Sequence, residues 1–478
     1  MLRKVLLIFF LFLLIIFYNV APKNMDIPAM VFLLAIVIFC SILFFKRKES
    51  IFELKGQFLK HTNFVVLGLF IVNFQLYIDY VLGNIDSSNL FIWVNKSIVV
   101  KSFTLSTIGL ISFYLGVFFY KNKVINTINH KNEEVSYSIK PLLYLSTIVL
   151  AAYFYTVNPL YLMGFYGIVG MGDIATYMSL LFNILILAII IQSTRNLRIE
   201  NKIPINIVHY VKLMGIPFLI ILGVYLISVL ISGDRGPIIT IVLAYVSGYY
   251  FVKRSKLSYK TGLIFIFLGA TIISLLGEVR SLDKNLSFTQ KLDQSFNGES
   301  LDKVTSFSPS TIELAGSVKT THYALNYVPK NHDFLYGRFQ MQQLFKALPF
   351  LSIFNQLIYN DTSLKYSSSA FFITWVHQGN NPTYGDGSSC IADFYLDFGL
   401  FGVIIGMFLF GYFIRLAEVK MYNKIIPPLF THIFIIVYLS GAIYIARSFV
   451  LFEFKNVVWI FILITFNKYI FNKKSKFG

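Results

Sequence analysis

Long apolar runs alternate along this chain with short gaps in which Lys and Arg collect. Hydrocarbon offers backbone groups no hydrogen-bond partners, so a spanning segment must be a helix of about 20 apolar residues. Twelve stretches meet that need, approximately 2–20, 27–45, 62–82, 102–120, 141–157, 174–193, 213–231, 237–252, 261–277, 398–414, 426–445 and 449–471. The pattern predicts an all-α polytopic membrane protein of about 12 transmembrane helices. Three regions follow: helices one to nine over 1–277, a large extracytoplasmic loop over 278–397, and helices ten to twelve with a tail over 398–478. No repeat of 20 to 50 residues and no inverted pair of halves is evident.

Charge sets the orientation. With the amino terminus inside, the gaps holding Lys46-Arg47-Lys48, Lys121 and Lys123, Arg195 and Arg198, Lys253-Arg254-Lys256 and Arg415, and the tail Lys473-Lys474-Ser475-Lys476, are all cytoplasmic. Lys and Arg then divide 26 inside to 15 outside, and nine of the outside residues lie in 278–397, a loop too long for the positive-inside rule. Short loops therefore divide 26 to 6, which places both termini in the cytoplasm. The segment after Arg3-Lys4 has the start of a signal peptide, but Ala21 is a poor cleavage residue and an uncleaved first helix is expected.

Composition agrees: 56% of the 478 residues are hydrophobic and 13% charged, too apolar for a soluble domain. The net charge of +18 does not mean nucleic-acid binding, because the basic residues punctuate the runs instead of gathering on one solvated face. Cys40 and Cys390 are too few and too differently placed for a disulfide framework.

Function is expected in the loop, about 120 residues without a span. Trp375, His322, His377 and many Tyr and Phe argue that it is ordered, and Phe339, Leu344, Phe345, Leu348 and Leu351 fit one face of a helix lying on the bilayer. No span holds a charge in its central part, which argues against a coupled transporter.

The sharpest local feature is Ser232-Gly233-Asp234-Arg235-Gly236-Pro237, an outer turn that opens the eighth span. Pro237 suits the first helical turn, and a helix amino terminus beside Arg235 suits a phosphate; alternatively, Asp234 caps the helix and Arg235 reaches lipid headgroups. Arg280 and Arg447 stand at the same boundary. Arginine forks grip phosphate oxygens, so Arg235, Arg280 and Arg447, with Arg338 adding to the field, are candidate pyrophosphate ligands. Lys319 and Lys330 could add to the same field, with an ordinary solvated charge as the plainer reading of each of these two and of Arg338.

No Asp-x-Asp and no His-Glu-x-x-His is present, so neither a metal nor another cofactor is expected. For a general base the loop offers Glu313, His322, His377, Asp386, Asp393 and Asp397. Asp386, between Gly385 and Gly387, ranks first and His377 second, against the plain alternative of an Asp-Gly turn and a surface histidine. Asp393 and Asp397, one turn apart, also read as acids at a helix start.

Three stretches resemble the Wzy-type oligosaccharide repeat-unit polymerases of O-antigen and capsule: Ser232 to Pro237; Glu313-Leu314-Ala315-Gly316-Ser317 through Tyr336-Gly337-Arg338 to Leu348-Pro349; and Gly387-Ser388-Ser389 through Asp393 to Phe398-Gly399 and Gly402. The resemblance implies a GT-C-like membrane glycosyltransferase in the bacterial cytoplasmic membrane. Its implied partners are a lipid-linked oligosaccharide donor and acceptor, on undecaprenyl pyrophosphate, and a protein that sets chain length. Related ligases carry a His-Asn pair where this chain has Ser388-Ser389, so the resemblance does not assign the base. An O-antigen ligase-type transferase, a flippase of lipid-linked glycans and a noncatalytic scaffold are the other readings.

Overall fold

The structure is a computed structural model and describes residues 2–47, 56–89, 92–120, 135–163, 170–232, 234, 236–265, 269, 306–308, 311–348, 351–359, 361–421 and 426–472. Among them every regular element is helical. The first two helices are α1 (Leu2–Val20) and α2 (Ile27–Phe45), the latter opened by Asp26, whose side chain accepts the Ala29 N–H, and by Pro28 in its first turn. A broken pair follows, α3 (His61–Asn73) and α4 (Gln75–Val81), then α5 (Lys96–Phe119) and α6 (Lys140–Thr156). After the short α7 (Pro159–Leu162) come α8 (Asp173–Ile199), α9 (Ile207–Met214), α10 (Ile216–Ser232) and α11 (Gly236–Lys253).

Among the described residues, six helices are long and apolar enough to cross a membrane, or up to eight if each bent pair counts as one span. Among those residues, fewer unbroken helices than twelve therefore meet that length and apolarity. The third run bends by 50° at Phe74, while the seventh is the single 17-residue helix α10, set off from α9 by a 100° bend at Gly215. α6 has only 17 residues. Most of the ninth run lies outside the described residues.

The long helix α17 (Cys390–Met421) lies along α5, whose residues are buried almost throughout. Close approach requires glycine at the crossing. A Cβ on Gly116 would strike the Phe408 carbonyl, and one on Gly411 the Phe113 carbonyl. At one end of this pair Glu418 is sealed beneath Arg47, 3.1 Å away, with Arg415 on the same oxygen and the Thr62 hydroxyl donating to the other at 2.6 Å. α17 breaks at Phe398 and Gly399, where Gly399 takes φ 62°, a value open to glycine and strained for other residues.

Between the long helices, the described residues of 306–389 form a layer of short ones: α12 (Ile312–Ala315), α13 (Val318–Tyr327), α14 (Arg338–Ala347), α15 (Phe354–Ile358) and α16 (Ser369–Gln378). The chain closes with α18 (Leu429–Ser440), α19 (Ala442–Ile445) and α20 (Phe454–Asn472).

Buried polar groups hold the layer down. Asp79 on α4 accepts the Ser306 hydroxyl at 2.7 Å and the Phe307 N–H at 2.9 Å, and Gln75 accepts the Thr311 hydroxyl at 2.6 Å. His322 on α13 lies 2.9 Å from the Tyr77 hydroxyl in a wall that includes Trp93. Asp397 caps α14, accepting the Phe339 and Gln340 N–H groups at 3.1 Å each. This corrects the bilayer-facing helix expected over 339–351. Phe339 and Phe345 point into the protein; Met341 is exposed on α14, and the other exposed apolar residues lie beyond it, at Leu348, Ile353, Phe354, Leu357 and Ile358.

Candidate functional site

α16 begins where the Ser368 hydroxyl caps the Phe371 N–H and ends at Gly379, whose φ of 77° turns the chain away. The chain then doubles back against the last turn of α16. The Gln378 side chain holds this return, accepting the Thr383 N–H at 2.9 Å and donating to the Tyr384 carbonyl at 2.8 Å. The Asp386 N–H donates to the Thr374 hydroxyl at 3.0 Å. Asp386 is thereby delivered beneath His377.

Three donors converge on that carboxylate. His377 Nδ1 lies 2.9 Å from Oδ2, Gln378 Nε2 donates to the same oxygen at 2.8 Å, and Lys319 Nζ stands 3.0 Å from Oδ1 as an ion pair. Burial pushes the Asp386 pKa up, but the bonds from Gln378, His377 and Lys319 and the lysine charge outweigh it and hold the carboxyl below its usual range. Asp386 is ionised.

Lys319 comes from α13, whose residues 319, 323 and 327 recur at four-residue spacing and so share a face. Tyr323 lays its ring 4.6 Å from the His377 imidazole, and Tyr384 stands edge-on at 6.3 Å. The Asp386 side chain is fully buried and that of His377 is 30% exposed. The imidazole is therefore the part of the cluster open to a substrate, and Asp386, first among the expected bases, sits behind it.

Arg447 is brought to the same neighbourhood by the backbone. The Thr321 and Ser389 hydroxyls meet at 3.0 Å, Ser389 accepts the Ala392 N–H at the start of α17, and the Cys390 N–H donates to the Ala446 carbonyl at 3.3 Å. Arg447 follows at once, with Nη1 3.8 Å from the Glu313 carboxylate and both side chains partly exposed.

The remaining expected residues are placed differently. His322 is sealed against Tyr77, and burial lowers its pKa to about 4. Asp393 is buried and receives the Gln340 amide, while Asp397 serves as the α14 cap. Arg338 lies over the rings of Tyr366, 4.0 Å from its centroid, and Tyr359, 4.6 Å away, and donates to the Asp361 carbonyl. Arg235 and Arg280 lie outside the described residues. Beside the first, Asp234 caps α11 by accepting the Gly236 N–H at 3.1 Å, as the capping alternative has it. Lys319, expected either to add to the phosphate field or to stand as a solvated charge, is a buried partner of Asp386. The spacing of Lys319, Tyr323 and Tyr327 was the available signal.

Among the described residues no group of three His, Cys, Asp or Glu side chains is set to hold a metal ion. Nothing among curated proteins and nothing among solved structures matches the chain. The family model described as O-antigen polysaccharide polymerase Wzy matches residues 3–475.

Proposed function

The chain belongs to the O-antigen polysaccharide polymerase Wzy family, and from that premise we propose that it moves a growing glycan from undecaprenyl pyrophosphate onto a new lipid-linked repeat unit. In this reading the twelve apolar runs cross the bacterial inner membrane, both termini are cytoplasmic, and 278–397 faces outward. The 26 to 6 division of basic residues among short loops supports that orientation.

The observation that carries the chemistry is the buried Lys319–Asp386 pair beneath the open imidazole of His377. An ionised carboxylate at Nδ1 favours the tautomer with its proton there and leaves the lone pair on Nε2. Nε2 takes the proton of the acceptor hydroxyl as its oxygen attacks the anomeric carbon of the donor. The bond from that carbon to the pyrophosphate oxygen breaks, and its electron pair leaves on the diphosphate. Arg447 stabilises that charge, joined on sequence grounds by Arg235 and Arg280, and in this reading the arginines take the place of a metal ion. A separate protein that sets chain length is the partner this reaction calls for.

Surface glycan from cells carrying His377→Ala tests the reading. A single repeat unit on its acceptor supports it, and a full ladder overturns it. Absence of surface glycan points to a flippase, and long chains stranded on the lipid carrier point to a ligase.

A further inference from the structure

Arg338 and Lys365 share one aromatic ring. The Arg338 guanidinium lies 4.0 Å from the Tyr366 centroid and the Lys365 ammonium 4.9 Å from it, so the two charges are no more than about 9 Å apart. Each cation also lies over a second ring, Arg338 over Tyr359 at 4.6 Å and Lys365 over Trp375 at 4.4 Å. Rings and cations alternate in the order Tyr359, Arg338, Tyr366, Lys365, Trp375. A third cation adjoins them, as Lys346 donates to the Ser367 carbonyl.

Like charges held this close repel each other. The nearby carboxylate of Asp361 is exposed, accepts the Ser363 N–H at 2.9 Å and feels both cations from solvent, while its carbonyl takes Arg338. Stacking on rings fixes both cations before any ligand arrives, which lowers the ordering cost of binding an anion. Two fixed cations suit a group whose negative charge is spread over two centres, as in a diphosphate.

Beside this ladder the protein exposes a patch of large apolar side chains. Leu357 is 74% and Leu364 68% exposed, with Ile353, Phe354 and Ile358 also bare, and Tyr359 and Lys365 directly adjoin the patch in sequence. A cation pair and an apolar patch side by side match a diphosphate joined to a lipid tail.

The ladder is distinct from the centre at His377. Trp375 and His377 are two residues apart on α16 and so point about 200° apart around the helix. Trp375 meets Tyr327 edge-on at 5.8 Å, and Tyr327 shares its face of α13 with Tyr323, whose ring lies on His377. A wall of aromatic rings therefore runs from the ladder to the imidazole.

We propose that Arg338, Lys365 and their rings bind the pyrophosphate of the acceptor lipid, separately from a donor pyrophosphate at Arg447, with the acceptor oligosaccharide lying along the wall between them. This rests on the reading of the His377 centre given above. An acceptor reacts through the sugar farthest from its own pyrophosphate, so its charged end must lie a repeat unit away from the base, whereas the donor pyrophosphate must lie beside it. The ladder and Arg447 meet those two demands.

The test uses the full chain in nanodiscs of phosphatidylethanolamine and phosphatidylglycerol, with undecaprenyl pyrophosphate as the probe and bound lipid counted by native mass spectrometry. Wild type should hold two probe molecules, Lys365→Gln one, Arg447→Gln one, and the double variant none. In transfer assays Lys365→Gln should raise the acceptor KM about tenfold with kcat little changed. Two probe molecules retained in both Lys365→Gln and Arg338→Gln, or their displacement by phosphatidylglycerol, overturns the inference. One molecule in wild type, lost only in Arg447→Gln, overturns it and leaves the reading of the centre standing. None in wild type overturns both.

Discussion

The imidazole of His377 and the carboxylate of Asp386 meet at 2.9 Å, with the carboxylate fully buried and the imidazole open. That order, acid behind and base in front, decides which of the two touches a substrate. His377→Ala should lower turnover by about 10²- to 10⁴-fold, the range of a lost general base. Asp386→Asn should also impair turnover, because an amide oriented by Lys319 no longer enforces the Nδ1 tautomer. Rates with purified lipid-linked units, read beside membrane protein levels, check both. Because the Asp386 carboxyl is held below its usual range, its ion pair is intact above about pH 4 and fades only as pH falls through the lowered value. A pH–rate profile should therefore show no limb from this group between pH 5 and 8.

Arg447 is expected to act on the diphosphate and not on the fold, since it and Glu313 are both partly exposed across 3.8 Å. Arg447→Gln should abolish the long glycan ladder without loss of protein from the membrane. Arg447→Lys keeps the charge but loses the fork, and should recover only part of the activity. The same gel tests Arg235 and Arg280 by substitution with Ala. Full ladders in all three would remove the pyrophosphate role.

His322 makes docking of α13 sensitive to acid. Its folded pKa of about 4 lies below the unfolded value near 6.5, so the unfolded segment takes up a proton first as pH falls. The stabilisation is fully present above pH 6.5 and declines between pH 6.5 and 4, by up to roughly 3 kcal/mol in total. Hydrogen exchange of Val318–Tyr327 should accelerate over that window in wild type. His322→Gln should flatten the dependence.

Asp397 ties α14 to the break in α17 by accepting the Phe339 and Gln340 N–H groups. Asp397→Ala should cost about 1 to 2 kcal/mol locally, the usual loss for a helix cap. The readout is faster exchange at Phe339 and Gln340 and easier proteolysis near Leu348. Asp397→Asn keeps one acceptor oxygen but sets an amide N–H against the second backbone N–H, so it should fall between wild type and Asp397→Ala.

Apolar runs alone determined much of the helical framework, down to the ends of α1 and α2 at residues 20, 27 and 45, because a buried helix is a local solution to backbone hydrogen bonding. Local chemistry also offered the Asp234 cap of α11 and ranked Asp386 and His377 ahead of the other candidate bases. Only the tertiary structure decided that the third run breaks at Phe74, that Phe339 and Phe345 face inward, and that Asp397 caps a helix some sixty residues earlier. It also decided the roles at the centre, where Lys319 arrives from another helix and Asp386 becomes the buried partner of an open imidazole. Hydropathy and helical period depend on residues within a few turns of each other. The solvation and partners of a buried charge depend on which distant segments pack around it.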